Sequence, residues 1–251
     1  GSAALDSALP DSVSLGRRRV LRAGATAGIL ALAGGAVGAF GARSNDSSGS
    51  ALDVDPQVER LLATARERSF DVAGLEGLVS EGFYQVDINS IDPDLSAEEW
   101  SLRVTGAVES EATYDYDDLT ALSAEHRFET LRCVGERLNG TKIDTALWTG
   151  VPLTELLDDD LPDECCVMLR AADDYFEEFP LSALRNGFLA YRMNGGPLPR
   201  GHGHPVRALI PGHWGEINVK WLTEIEVLDE PADGYWEKRG WHGTGPVNTV
   251  A

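Results

Sequence analysis

The chain has 251 residues, with 41 Asp and Glu against 21 Lys and Arg, and its formal net charge is −20. Such an acidic surface repels nucleic acid and anionic lipid headgroups, so nucleic-acid binding is excluded as a function. It is also typical of proteins adapted to high salt, where screening removes the self-repulsion, and we expect a halophilic protein rather than an ordinary acidic one.

Residues 1–43 predict an export signal or a membrane anchor. The stretch at 17–22, RRRVLR, matches a twin-arginine signal, and the uncharged run that follows at 23–42 is rich in Ala and Gly. This weak hydrophobicity favours a signal, although the run is also long enough to span a bilayer as the last helix of a longer membrane protein. We expect the protein on the extracytoplasmic face, secreted or membrane-anchored.

The rest of the chain predicts a linker with a helix over 44–70 and one domain over 71–251. Helical spacing or a helix-start residue predicts helices at Pro56–Arg68, Tyr116–Leu122, Leu147–Leu157 and within Phe179–Leu184. Alternating or continuous apolar runs predict strands at Trp100–Val108, Phe128–Val134, Cys165–Ala171, Phe188–Met193, Val206–Ile210 and Asn218–Val227. Helices and strands mix without βαβ spacing, which predicts an α+β fold.

A basic, Gly- and Pro-rich island occupies residues 185–220. It carries five cations against the single acid Glu216, and it holds three of the five histidines, His202, His204 and His213. Glycine lets the backbone approach a ligand closely, and the Arg fork suits oxyanion geometry, so the island predicts an anion site. The alternative is a solvated loop that offsets acidic neighbours.

The three cysteines do not form a disulfide framework, because Cys165 and Cys166 are adjacent and fit a buried strand. Cys133 is the remaining candidate for chemistry. It lies between Arg132 and Arg137, and nearby cations favour the thiolate, which is the nucleophilic and metal-binding form. A small core residue is the alternative interpretation.

Two further pairs leave alternatives open. His202 and His204 are spaced to chelate zinc or to contact an anion, and no other ligand stands at zinc-site spacing. We favour anion contact for His202 and a structural role for His204. Asp173 and Asp174 fit a turn or cap, or acceptors for a heterocyclic ligand. The chain has no nucleotide-binding glycine fingerprint and no hydrolase elbow.

Five collinear pieces resemble the sulfite oxidase family of molybdenum–pterin enzymes. They are TLRCVGERLNG around Cys133, WTGVPLTELL, AADDYFEEFPLSAL, the island through KWLTEIEV, and GYWEKRGWH. The segment FYQVDINSIDPDLSAEEWSLRVTGAV resembles the beginning of the family's catalytic domain. The resemblance is closest to the exported or membrane-attached prokaryotic members. It implies a molybdopterin-binding catalytic domain of mixed β-sheets with short helices over residues 71–251.

The resemblance also implies roles for individual residues. Cys133 would be the protein ligand of molybdenum, next to the dithiolene of a molybdopterin. Asp173 would lie near the metal, and Trp241 would replace the active-site Tyr of the family. The residues implied in cofactor binding are Phe83, Tyr84, Asp174, His202, Arg207, Asn218, Val219 and Lys220.

The chain departs from sulfite oxidases after Phe83, where it has Gln85-Val86-Asp87 in place of an Arg and a His. The implied reaction is two-electron oxygen-atom transfer on sulfite or on a small or protein-bound sulfoxide. Electrons would pass to or from an external cytochrome or membrane haem protein, because the chain has no CxxCH haem motif. The alternatives are an exported anion-binding module without metal catalysis and, less favoured, a zinc hydrolase.

Overall fold

The computed structural model describes residues 54–68, 79–80, 82–136, 140–157, 161 and 166–241. The signal or anchor predicted at 1–43 lies outside these residues, as do most of the predicted linker, Arg137 and Cys165. In the described part of the chain, every helix is too short or too polar to cross a bilayer.

Helix α1 spans Pro56–Glu67, as the apolar spacing predicts. Its start follows from two residues: the Asp55 side chain accepts a hydrogen bond of 2.7 Å from the backbone N–H of Gln57, and Pro56 occupies the first turn. Val58 and Ala65 are the buried positions of the helix.

The first sheet has five strands in the order β2-β1-β10-β5-β6. Their bounds are β1 Ser101–Gly106, β2 Ala112–Asp115, β5 Cys166–Ala171, β6 Phe176–Pro180 and β10 Leu222–Leu228. β1 and β10 pair in parallel, with Val104 opposite Ile225, and the other neighbours are antiparallel. The parallel pair joins the two ends of the described domain.

The second sheet runs β3-β4-β7-β8, and β9 also pairs with β7. Its strands are β3 Glu125–Arg132, β4 Ile143–Pro152, β7 Phe188–Met193, β8 Gly196–Pro197 and β9 Arg207–Leu209. Short helices and 3-10 turns connect the strands: α2 Tyr116–Thr120, α3 Leu181–Leu184, and turns at Leu153–Glu155, Arg200–His202, Gly215–Ile217 and Glu237–Arg239. The predicted α+β class is confirmed.

The second sheet is buried on both faces. One face joins the main core with the first sheet, through side chains such as Val151 and Leu189. The other face, with Trp148 and Phe188, packs beneath Phe83 and Tyr84. A sheet covered on both sides is a rigid base for the residues that project from its strand ends.

The helix predicted at Leu147–Leu157 is wrong. Strand β4 continues to Pro152, and only the turn Leu153–Glu155 follows. Residues 146–151 are all buried because β4 lies between β3 and β7. A continuous apolar run of this kind does not distinguish a helix from a two-sided strand.

Two further differences from the prediction concern residues near the cavity. The last strand begins at Leu222 rather than Asn218, because the Asn218 side chain bonds to loop backbone and Trp221 has a φ of 49°. Strand β6, Phe176–Pro180, was not predicted, because its adjacent acids Glu177 and Glu178 hide the alternation of the strand. Glu177 is the inward-facing member of this pair and is 5% exposed.

Candidate functional site

A cavity of about 890 Å³, including the part that opens to solvent, lies at the ends of β3 and β9. The structure brings nine of the predicted site residues to its lining: Phe83, Tyr84, Cys133, Asp173, His202, Arg207, Asn218, Val219 and Lys220. Asp174 and Trp241 are outside the lining.

Cys133 is the first residue after β3 and is half-buried with a free thiol. Its backbone N–H donates to the Lys142 carbonyl at 3.0 Å, and its carbonyl accepts from the Glu136 N–H at 3.0 Å. The turn therefore fixes the backbone of the thiol on both sides. Of the neighbouring cations, Arg132 stacks over the Trp214 ring at 4.7 Å.

Arg207 is a buried cation without a carboxylate partner among its described hydrogen bonds. Its guanidinium donates to the carbonyls of His202 at 3.1 Å and Asn218 at 2.9 Å, and it lies 5.3 Å from the Trp148 ring centroid. Its Nε is buried and has no hydrogen-bond partner. Burial lowers the pKa of Arg207 to about 10, so the residue remains charged at neutral pH. A charge held in this way favours an anionic ligand.

Asn218 holds the loop behind Arg207 in place. The side-chain amide is 2% exposed; its oxygen accepts from the Ile210 N–H at 2.7 Å, and its nitrogen donates to the Trp214 carbonyl at 2.7 Å. These two bonds join β9 to the following loop. The Val219 carbonyl then accepts from Ala208 at 2.8 Å, which leaves the Lys220 side chain at the cavity.

Lys220 forms an ion pair with Asp87 and donates to the Gly201 carbonyl at 3.0 Å. Its ammonium also lies 4.4 Å from the Trp221 ring centroid. Burial lowers the pKa of Lys220. The charge of this lysine is thus already neutralised by Asp87, which also lines the cavity.

Gly203 allows Lys220 and Arg207 to approach each other. It has a φ of 107°, and a Cβ atom there would stand 3.1 Å from the Lys220 Cα and 3.0 Å from the Arg207 Cβ. The conformation and the close contact both require glycine. This explains why one position of the basic island is a glycine.

The aromatic side of the cavity consists of Phe83 and Tyr84, whose rings stack at 5.4 Å. Phe83 also meets Trp148 edge-on at 5.5 Å and His202 at 5.6 Å. Burial, followed by the charge of Arg207, lowers the pKa of His202, so its imidazole is neutral at pH 7. Burial raises the pKa of Tyr84 to about 12, which keeps its hydroxyl protonated. This side offers flat surfaces and neutral hydrogen-bonding groups.

Asp173 and Asp174 are separated by the fold. Asp173 lines the cavity, where it accepts from the Tyr175 N–H at 3.2 Å, and burial raises its pKa. Asp174 is exposed and has a φ of 66°, as expected for a turn residue.

Trp241 is 66% exposed and contacts Trp236 edge-on at 5.9 Å. Trp236 lines the cavity, so Trp241 stands one ring away from it. His204, which we expected to be structural, is also outside the lining. In the described part of the chain, no three His, Cys, Asp or Glu side chains gather as a metal site.

The sequence did not single out Tyr175 and Trp236, which also line the cavity. Their aromatic rings carried no spacing signal, and each reaches the cavity through tertiary packing. The assembled site combines a thiol at a strand end, a buried cation with an open Nε and stacked aromatic rings. This arrangement can bind an anionic, flat ligand and can offer a thiolate to a metal.

Comparison with known proteins identifies the family of the chain. Residues 88–236 match the family described as oxidoreductase molybdopterin binding domain. The chain is 30% identical over 235 residues to mitochondrial sulfite oxidase of Drosophila melanogaster, covering 80% of this chain and 41% of that protein. It is 31% identical over 176 residues to the NADH nitrate reductase of Spinacia oleracea, covering 57% and 19%.

The fold is similar to that of the sulfane dehydrogenase SoxCD from Paracoccus pantotrophus, with a TM-score of 0.53 and 20% identity. That similarity covers 76% of this chain and 56% of the SoxCD chain. The chain spans less than half the length of the sulfite oxidases and nitrate reductases that it matches.

Proposed function

Because this chain belongs to the oxidoreductase molybdopterin binding domain family, we propose that it is a molybdenum–pterin enzyme of oxygen-atom transfer. The observation that carries the proposal is Arg207, a buried guanidinium whose Nε has no protein partner. The phosphate of a molybdopterin would supply the missing anion and hydrogen bond. The thiol of Cys133 lines the same cavity, which suits a metal carried by that pterin.

The residues of the chain would act as follows. Arg207 and His202 bind the phosphate, and Asn218 holds their loop in place. Phe83 and Tyr84 flank the pterin, and the Cys133 thiolate ligates molybdenum. When bound, the cofactor supplies the two-electron redox chemistry, and the protein supplies orientation and electrostatics.

The mouth segment, which we define as residues 85–88, supports a neutral substrate over an anionic one. The Gln85 amide donates to Asp87 at 2.7 Å and to Asp92 at 3.2 Å. Asp87 also neutralises Lys220, and Asp173 adds a further carboxyl to the lining. The acids of this side disfavour sulfite, so a small or protein-bound sulfoxide is the substrate class that the charges favour.

The cellular setting is also part of the proposal. The acidic composition supports a halophilic protein, and RRRVLR with its uncharged run supports twin-arginine export or membrane attachment. The enzyme would act on the extracytoplasmic face. An external cytochrome or membrane haem protein would exchange electrons with it.

The test is elemental analysis for molybdenum and zinc on protein purified in high salt from a host that makes molybdopterin. We expect stoichiometric molybdenum and turnover of a sulfoxide with a reduced one-electron dye. Zinc without molybdenum would contradict the proposal.

An anion-binding module without metal catalysis is the second candidate, because Arg207 would bind an anion whether or not a metal is present. Protein without molybdenum that binds inorganic phosphate through Arg207, in a host that loads a known family member, would favour this candidate.

A further inference from the structure

A pair of carboxyl groups lies behind the cavity, outside the residues that the proposed function uses. Glu177 of β6 is 5% exposed, and Glu237 belongs to the turn that follows Trp236. Both carboxyls approach Gly234, where a Cβ atom would collide with the oxygens of each. The Glu237 Oε2 is buried and has no hydrogen-bond partner. A proton shared between the two carboxyls would give this oxygen the bond that it lacks.

The cations near β6 lie on its other face. Lys238 is 4.6 Å and Arg170 5.9 Å from the ring centroid of Phe176, which precedes Glu177. Successive strand residues point to opposite faces, so these cations and Glu178 face away from Glu177.

A third cation in this region, Arg239, stacks on Tyr235, with its Cζ 3.4 Å from the ring centroid. The groups that act on the Glu177 carboxyl are therefore Glu237, the Tyr175 hydroxyl and the backbone of Glu178. Burial, and next the charge of Glu237, raises the pKa of Glu177 to about 8. Glu177 is thus a neutral acid at pH 7.

The Tyr175 hydroxyl connects this pair to the cavity. It lies 3.2 Å from the Glu177 Oε2 and 3.0 Å from the Glu216 carbonyl oxygen. A hydroxyl has one proton and the carbonyl can only accept. Both contacts are satisfied when Tyr175 donates to Glu216 and protonated Glu177 donates to Tyr175. The single Glu177 proton serves one of these bonds at a time. When it is shared with Glu237 or lost, the Tyr175 proton turns towards Glu177, so the direction of the hydrogen bonds can reverse.

One end of this series of hydrogen-bonding groups is at the cavity, and the other is near the protein surface. Tyr175 and Glu216 line the cavity. Glu237 is half-buried, and its neighbours Lys238 and Arg239 are exposed. The Tyr235 N–H donates to the Phe176 carbonyl at 2.9 Å, which fixes the C-terminal turn against β6. The three side chains therefore connect the cavity to the protein surface.

From this geometry we infer that Tyr175, Glu177 and Glu237 form a proton relay between the cavity and solvent. The inference rests on the proposed function. Oxidation of a substrate X with water gives XO, two protons and two electrons, and reduction of XO consumes the same set. The electrons pass to or from the external haem protein. The relay carries protons, and Glu177 and Glu237 are positioning residues because they act through Tyr175.

The first test is infrared titration of the full-length protein, in which a protonated carboxyl gives a resolved C=O band. We expect the Glu177 band to persist to about pH 8 and to be absent in Glu177→Gln. Glu178→Gln, the matched control on the opposite face, should retain the band. In Glu237→Gln the band should disappear at lower pH, because the negative neighbour that raises the Glu177 pKa has been removed.

The second test is the pH profile of turnover by the molybdenum-loaded protein. The wild type should show an inflection near pH 8 that Glu177→Gln and Tyr175→Phe both lose, while Glu178→Gln keeps it. Loss of the Glu177 band below pH 6, or a wild-type profile in Glu177→Gln, would overturn the relay. Protein that takes up no molybdenum would overturn the proposed function, and with it the catalytic role of the pair, even where the band persists.

Discussion

The two sides of the cavity are built in opposite ways. The inner wall, which we define as Cys133, His202, Arg207 and residues 218–220, projects from strand ends and the loop that they support, and Arg207 is 4% exposed. The mouth segment is a loop, and Val86 within it is 50% exposed. The inner wall is held by hydrogen bonds to buried backbone groups, whereas the mouth segment is held by the side-chain contacts of Gln85 and Asp87.

The buried inner wall and the exposed mouth segment therefore suit different functions. Buried polar groups are expensive unless each has a partner, so an inner wall in which the buried Arg207 Nε lacks a hydrogen-bond partner favours an anionic ligand. Exposed side chains tolerate change at little cost in stability. We therefore propose that the inner wall binds the cofactor and that the mouth segment sets the substrate.

The largest effect should come from Cys133→Ser. If the thiolate ligates the metal, turnover should fall by more than the roughly 100-fold that changes outside a ligand set produce. The pterin should remain, because Arg207 and the aromatic rings are intact. The measurement is turnover per pterin, with pterin released and quantified by fluorescence.

The matched control for this change is Cys166→Ala. Cys166 is 3% exposed in β5 and does not line the cavity, so this variant should keep its turnover per pterin. Full activity in Cys133→Ser would contradict the metal-ligand assignment and reduce the inner wall to an anion site.

Arg207→Ala should weaken retention of the cofactor. Loss of charge-assisted hydrogen bonds to a buried ligand costs about 1.5–3 kcal/mol, or roughly 10- to 100-fold in affinity. We would measure molybdenum and pterin per chain after extended gel filtration. Arg103→Ala makes the same charge change at an exposed residue that pairs with Glu224 and does not line the cavity, and it should retain the cofactor. Equal loss in both variants would show that net charge, rather than this site, holds the ligand.

Gly203→Ala should show how closely the inner wall is packed. A side chain there has a φ of 107° and a Cβ atom 3.0 Å from that of Arg207, so it adds a steric clash to backbone strain. Gly212 is the control, since its φ is 80° and no atom lies within 4 Å of the added Cβ. Both variants should lose about 1 kcal/mol of unfolding free energy from the backbone. Gly203→Ala should lose about 1–3 kcal/mol more from overpacking.

Denaturant unfolding measures this difference, and molybdenum content shows whether the wall still binds the cofactor. We expect reduced cofactor only in Gly203→Ala. Equal destabilisation of the two variants would mean that the wall can relax around an added methyl group.

The sequence was most informative about the inner wall. The local excess of cations in an acidic chain predicted an anion site, and Arg207 with its open Nε fits one. The pattern of residues 128–134 predicted that Cys133 lies near the end of a strand. In the structure it is the first residue after β3. Both signals come from residues that are neighbours in the chain, so they can be recognised in a single sequence without knowledge of the fold.

The features that we did not predict from the sequence depend on burial in the folded protein. The helix expected at Leu147–Leu157 is a strand, because neighbours on both sides cover all of its residues. Strand β6 was not predicted, because its adjacent acids Glu177 and Glu178 hide the alternation of the strand, yet Glu177 is buried. The distinction between Asp173 and Asp174 needed the turn geometry that only the folded chain shows.

Gln85→Arg should give the smallest change and is the sharpest test of the mouth segment. A guanidinium here would add the cation that the family resemblance implies for this region and that residues 85–87 lack. Asp87 and Asp92, the present partners of Gln85, would take up part of the new charge. An exposed ion pair is worth up to about 1 kcal/mol, so the KM for sulfite should fall by no more than about fivefold.

The same variant should lower the inhibition constant of sulfate while leaving the KM for a neutral sulfoxide unchanged, which makes the result independent of the natural substrate. Gln85→Met removes the amide without adding charge and should lower neither value. If Gln85→Met and Gln85→Arg behaved alike, release of Asp87 rather than the added charge would be the cause. Lys220, which pairs with Asp87, would then link the mouth segment to the inner wall.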